Sequence, residues 1–192
     1  DEAVELCSKR RSRVKGAVSF VLVALMAGVL WGQEAKQDPK PPLSVRIVPT
    51  DFKEERGRSI NLGYDTAHFH VVLTNISDKP LRLCTATCSW GYFALSFEVK
   101  DESGKTTKVT KQGMPWSTLF AHYLTVPPGD HMVREVSFSK DEWENFVLPE
   151  KGKSVDVQMR AVFEIKPDDE TKKKDVWTGK VVSPEETYTI YR

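Results

Sequence analysis

Cysteine is scarce in this 192-residue chain, with three in all, and no C-x-x-C pair occurs. That excludes a zinc ribbon, a thioredoxin-type redox motif and covalent c-type haem attachment. Histidine is rare too, at four residues. H-E-x-x-H, the G-x-S-x-G nucleophile elbow and a glycine-rich phosphate loop are all missing, which removes the familiar routes to zinc hydrolysis, serine catalysis and nucleotide binding. No apolar run reaches the ~20 residues that a membrane-spanning helix needs. Internal repeats are absent as well.

An excess of charge of one sign is also missing once the N-terminus is set apart. The first 32 residues carry five basic and three acidic side chains, so residues 33–192 hold 23 basic residues against 24 acidic. A near-neutral, interspersed surface cannot neutralise many phosphates, which speaks against nucleic acid as a partner. Apolar content of 40% is enough for a real core, so one folded domain is expected.

What is present begins with an address. Lys9, Arg10, Arg11, Arg13 and Lys15 form a basic stretch, Ala17 to Trp31 an apolar run, and Gln33 opens a polar segment. This order is the grammar of a secretory signal. Residues 1–32 read as a signal peptide cleaved after Gly32, and an uncleaved anchor is the alternative, through which alone the chain would touch a membrane. Val14 offers an alternative start. Export places the protein in the periplasm, cell envelope or extracellular space. Residues 33–42, including Pro39, Pro41 and Pro42, read as a Pro-rich tether.

From Leu43 onward period-two alternation dominates, and it places one set of side chains in a core and the other in water. Ala67, Phe69, Val71 and Leu73 form one such face; Phe93, Leu95, Phe97 and Val99 another; Val155 to Ile165 the longest. Further strands are expected at Leu43–Val48, Leu81–Cys84, Thr106–Thr110, Tyr123–Val126, Met132–Phe138, Trp177–Val182 and Thr187–Tyr191. Residues 43–192 are therefore expected to form an all-β, immunoglobulin-like β-sandwich of about eight strands. Ser139 and Glu142 suggest a capping box opening a short helix at 140–146. Asp168, Asp169 and Glu170, followed by Lys172 to Lys174, read as a solvated hairpin tip.

Three constellations could carry chemistry. His68 and His70 form an H-x-H pair whose spacing lets two imidazoles reach one metal. On the outward face of an edge-accessible strand they read as solvated surface, with a metal site or a metal-dependent enzyme as the alternative. Cys84 and Cys88 are the only cysteines left after the signal, and an oxidising compartment favours a disulfide between them; two buried or free thiols are the alternative, and a redox or copper site would need a third ligand nearby. Trp90, Tyr92 and Trp116 lie beside glycines, where they either close one end of the core or form a recognition surface. No catalytic residue and no cofactor is assigned. A binding or structural module acting on a protein or glycan of the cell envelope is the leading functional expectation.

The run Leu73-Thr74-Asn75 through Ser77-Asp78-Lys79-Pro80-Leu81, then Phe97 to Asp101 with Gly104-Lys105, then Trp116 and Val126-Pro127-Pro128-Gly129, resembles small bacterial immunoglobulin-like sandwiches. Among them is the BsuPI-type proteinase-inhibitor domain. The Cys-Ser-Trp-Gly-Tyr segment is similar to one in exported planctomycete-type proteins. The resemblance covers residues 67 to 138; it implies the sandwich fold and points towards protein binding, with no inhibitory residue carried over.

Overall fold

Alternating apolar side chains become strands here because each strand can bury one face against a second sheet. The computed structural model describes residues 41–53, 57–62, 68–115, 122–146 and 148–192. These belong to the second of two units in the chain, Pro39–Arg192. The signal segment, most of the tether and Trp116 lie outside the described residues.

In chain order the elements are β1 (Leu43–Val48), β2 (Asp51–Lys53), β3 (Gly57–Asn61), β4 (Phe69–Asn75), β5 (Leu81–Cys84), α1 (Ser89–Tyr92), β6 (Leu95–Lys100) and β7 (Thr106–Lys111). There follow β8 (Tyr123–Val126), β9 (His131–Val136), β10 (Trp143–Glu144), β11 (Ser154–Ile165), α2 (Asp169–Lys173), β12 (Gly179–Val182) and β13 (Glu186–Tyr191). The fold is an all-β sandwich. One sheet has the order β1-β4-β9, a second runs β10-β7-β6-β11-β13-β3-β2, and β5 pairs with β8. All these pairings are antiparallel except β13 with β3.

β11 is the spine of the larger sheet. One edge pairs with β6, and the other pairs first with β13 and then, from Val162 onward, with β12. At the changeover the Ala161 N–H donates to Ser183 Oγ at 2.9 Å, so no backbone donor is stranded where the partner changes. Phe69, Phe97, Phe138 and Trp143 meet at centroid distances of 5.0–5.7 Å, mostly edge to face or tilted, and Phe146 stacks on Phe138 at 4.1 Å. This aromatic centre holds the faces together.

Several expectations need correction. There are thirteen strands among the described residues, not about eight. β2 and β3 went unread because Ile60 is the only fully buried side chain of β3, which leaves little alternation to see. The 140–146 helix is not there. Trp143 N–H donates to Ser139 O at 3.0 Å in a turn, after which Trp143 and Glu144 pair with β7. Besides α1, a helix stands in the supposed hairpin tip, α2: Asp168 Oδ1 accepts from Thr171 N–H at 2.7 Å and Asp168 N–H donates to Thr171 Oγ1 at 2.9 Å, a reciprocal capping box. Phe93 leaves its expected core face and is 45% exposed, because α1 and its cap interrupt the alternation ahead of β6.

Candidate functional site

α1 occupies a single turn between β5 and β6, and its backbone is pressed against the end of β5. A Cβ on Gly91 would stand 1.9 Å from the carbonyl oxygen of Thr85. Only glycine permits that approach. The contact folds residues 85–88 back so that Cys84, the last residue of β5, and Cys88, the N-cap of α1, are both fully buried and interact side chain to side chain.

The expected disulfide is not formed; both are free thiols. Cys88 Sγ is instead turned towards backbone carbonyls, donating to Thr85 O at 3.4 Å and to His122 O at 3.6 Å. Burial pushes the Cys84 thiol up to about 12, helped by the negative charge and hydrogen bond of Cys88 and by Asp168, while Arg134 pulls the other way.

Arg134 is the residue that reading of the sequence missed. β9 directs Met132, Arg134 and Val136 inward and His131, Val133 and Glu135 outward. A guanidinium therefore sits at a core position, 8% exposed. Its Nη2 donates to Gly91 O at 3.1 Å, and its Nη1 is buried with no partner. Burial lowers its pKa, opposed by the neighbouring Cys88 and Cys84. The signal was in the register: Met132, Arg134, Val136 and Phe138 alternate, and one member of that apolar row is a cation.

Over this floor opens a cleft of about 740 Å³, lined by residues of β7, β8, β9, the 85–86 loop and the turn at 141–142. Its walls carry three exposed apolar side chains, Met114, Leu124 and Val133, each 47–48% exposed. Lys111 borders it, held by Glu142 at 2.6 Å and lying over the Trp143 ring at 4.2 Å and the Tyr92 ring at 5.1 Å. β9 is the edge of its sheet among the described residues, so this cleft runs beside a strand edge.

Of the three aromatic residues expected together, Trp116 lies outside the described residues, and Trp90 and Tyr92 line different clefts. Tyr92 is half-buried and lines this cleft, whereas Trp90 lines a different one with Phe93, Lys108 and Asp168. Trp90 also packs against the core, and its indole N–H donates to Asp168 Oδ2 at 2.5 Å. Asp168 thus serves Trp90 and α2 at once. Burial would raise its carboxyl, but the hydrogen bonds from Thr171, Trp90 and Glu170 outweigh that and hold it below the usual carboxylate range. His68 and His70 are half-buried, and β4 is the central strand of its sheet, not an edge. His68 Nδ1 faces Glu135 Oε1 at 3.5 Å, and His70 stands opposite Glu135 in register. No group of three or more His, Cys, Asp or Glu side chains able to hold a metal gathers among the described residues.

Architecture and site together define a β-sandwich with an edge-strand cleft above a buried dithiol and guanidinium. No protein-family model matches the chain, and no curated protein does. Among solved structures it is similar to the X-ray structure of Northeast Structural Genomics Consortium target SoR45, at 10% identity, with a TM-score of 0.35, over 79% of this chain and 87% of that one.

Proposed function

We propose that this chain is an exported, non-catalytic binding module that takes an extended segment of another protein into the cleft beside β9. The observation that carries the reading is the convergence of Met114, Leu124 and Val133, exposed apolar side chains from separate segments, on one cleft along a sheet edge. Scattered apolar residues are ordinary on a surface, but a cluster of them rimmed by charge marks a site of interaction. An edge strand adds main-chain donors and acceptors, which an extended segment satisfies by strand addition. Lys111, Glu135, Asp141 and Glu142 supply a rim of both signs. That rim suits a mixed polypeptide better than a glycan, for which stacked aromatic platforms would be expected.

A photo-crosslinking side chain placed at Val133 or Leu124 tests this in the producing cell. Discrete, protease-sensitive adducts at both positions, and none from Val182, which is exposed but remote in the fold order, are the expected result. The same adducts from Val182, no adduct at either cleft position, or adducts that only glycosidases remove would overturn it. Export is tested separately: the intact mass of the exported form should lack the residues up to Gly32.

A further inference from the structure

We infer that Cys84, Cys88 and Arg134 form a binding site for a monovalent soft cation, of the copper(I) or silver(I) class, held as a linear bis-thiolate. This rests on the floor of the cleft and does not depend on the partner proposed for its walls.

Arg134 is a buried cation with one donor nitrogen unpartnered, and the charged forms of two thiols, Cys88 and Cys84, act on it. A buried charge is tolerated when it is paired. With both thiols protonated the guanidinium has only the Gly91 carbonyl, and a disulfide would leave it equally alone. A monovalent metal changes the sum. It displaces two thiol protons, and the resulting S–M–S unit carries one negative charge, which matches the one positive charge of Arg134.

Ligand chemistry selects the same ion. Zinc in structural sites takes four ligands, and these two sulfurs gather no further metal-binding group among the described residues. Two-coordinate sulfur suits the soft d10 monovalent ions. Gly91 locks the 84–88 turn by its approach to Thr85, and that turn buries both cysteines, with Cys88 Sγ turned back to Thr85 O at 3.4 Å. The second nitrogen of the same guanidinium is fixed on Gly91 O, which orients Arg134 as an outer-sphere group beside the sulfurs. Access is short, because Thr85, Ala86 and Arg134 all line the open cleft above.

Ions of different valence leave different charges beside Arg134. A divalent ion of the mercury(II) class would form a neutral bis-thiolate, to which Arg134 contributes little. The test uses the reduced full chain under anaerobic conditions, titrated with copper(I) against a chromophoric copper(I) chelator, and separately with silver(I) and mercury(II). One copper(I) per chain, two sulfur neighbours by X-ray absorption and two protons released per ion are expected. Cys84→Ser and Cys88→Ser should each abolish this binding. Arg134→Met should weaken copper(I) and silver(I) by about tenfold or more, the size of one lost charge-assisted contact, and leave mercury(II) nearly unchanged. Super-stoichiometric copper, coordination by more than two sulfurs, binding that survives Cys84→Ser, or equal loss of all three ions in a folded Arg134→Met would overturn the assignment. Stoichiometry, sulfur number and proton release are read on the unaltered protein, so the idea can fail even where a variant does not fold.

Discussion

Of the polar side chains buried among the described residues, Asn75 and Arg134 are buried on opposite terms. Asn75, at the end of β4, is fully buried with every polar atom engaged: Nδ2 donates to Lys79 O at 2.7 Å and Val126 O at 2.9 Å, while Oδ1 accepts from the N–H and hydroxyl of Ser77 at 3.0 and 2.7 Å. Its backbone is tied to the Pro127–Asp130 turn as well, through Asp130 O and Gly129 N–H. Arg134 is nearly as buried and has one nitrogen engaged, one orphaned. A saturated buried amide is a part of the fold, because a satisfied network specifies a unique arrangement. An unsaturated buried cation is an exception to that pattern, and the soft-cation site proposed above is one account of it.

The largest effect should come from breaking the saturated side. Asn75→Leu takes the amide away from the buried Val126 carbonyl and the Ser77 N–H, with only the Ser77 hydroxyl to Lys79 O bond surviving, and should cost about 2–4 kcal/mol in urea unfolding. An unchanged midpoint would show that water replaces the amide and that Asn75 is no staple. Gly91→Ala comes next. The new methyl must push α1 off β5 and carry the Arg134 acceptor with it, an overpacking worth about 1–3 kcal/mol; thermal melts that match the parent protein would show that the turn gives way freely. Asp168→Ala removes the cap of α2 and the Trp90 hydrogen bond, with an expected cost of ~1 kcal/mol and a blue- or red-shifted Trp fluorescence. Loss of stability without any change in emission would detach Trp90 from that role.

The smallest effect should be at Arg134 itself. Arg134→Met removes an incompletely paired charge and keeps the apolar bulk, so stability should move by no more than about 1 kcal/mol in either direction. A loss of 3 kcal/mol or more would mean that the guanidinium is structural, like Asn75, and the comparison would collapse. Alkaline pH probes the same pocket. The Cys84 thiol titrates in the unfolded chain near 9.0 and in the fold at about 12, so its contribution is complete below pH 9.0 and erodes as pH rises from there towards 12. Tyr188 adds its own loss above 10.0, since burial and then the bond and charge of Glu186 raise its hydroxyl, with Arg58 opposing. Cys84→Ala should therefore flatten the stability curve between pH 9 and 10 and leave the fall above it.

Much of the fold was legible in the residues. β1, β5 and β8 lie where alternation placed them, and the buried faces of β4, β6 and β11 are the apolar rows read from the sequence. Legibility failed where burial is one-sided or local chemistry is shared. β3 buries too little to alternate, and the Asp168–Thr171 box differs in type from the Ser-x-x-Glu pattern, which at Ser139–Glu142 proved to be a plain turn. The site was half legible. Cys84, Cys88 and Tyr92 were singled out, but their meaning depends on Arg134, which β9 delivers from more than forty residues away, and sequence spacing does not report that kind of meeting.

β11 also sets how the chain must fold. Its bridge from Arg160 to Glu98 spans 62 residues, and its other edge waits for strands that follow it, so the local β6–β7 hairpin cannot grow into the larger sheet until β11 arrives. Long-range pairing of this kind delays folding into the millisecond-to-second range. Substitutions along β6 and β11, such as Phe97→Leu or Ala161→Gly, should slow refolding in stopped-flow measurements. Changes around Gly91 should mainly quicken unfolding. The order in time would then be the reverse of the order in chemistry: the spine first, the dithiol pocket last.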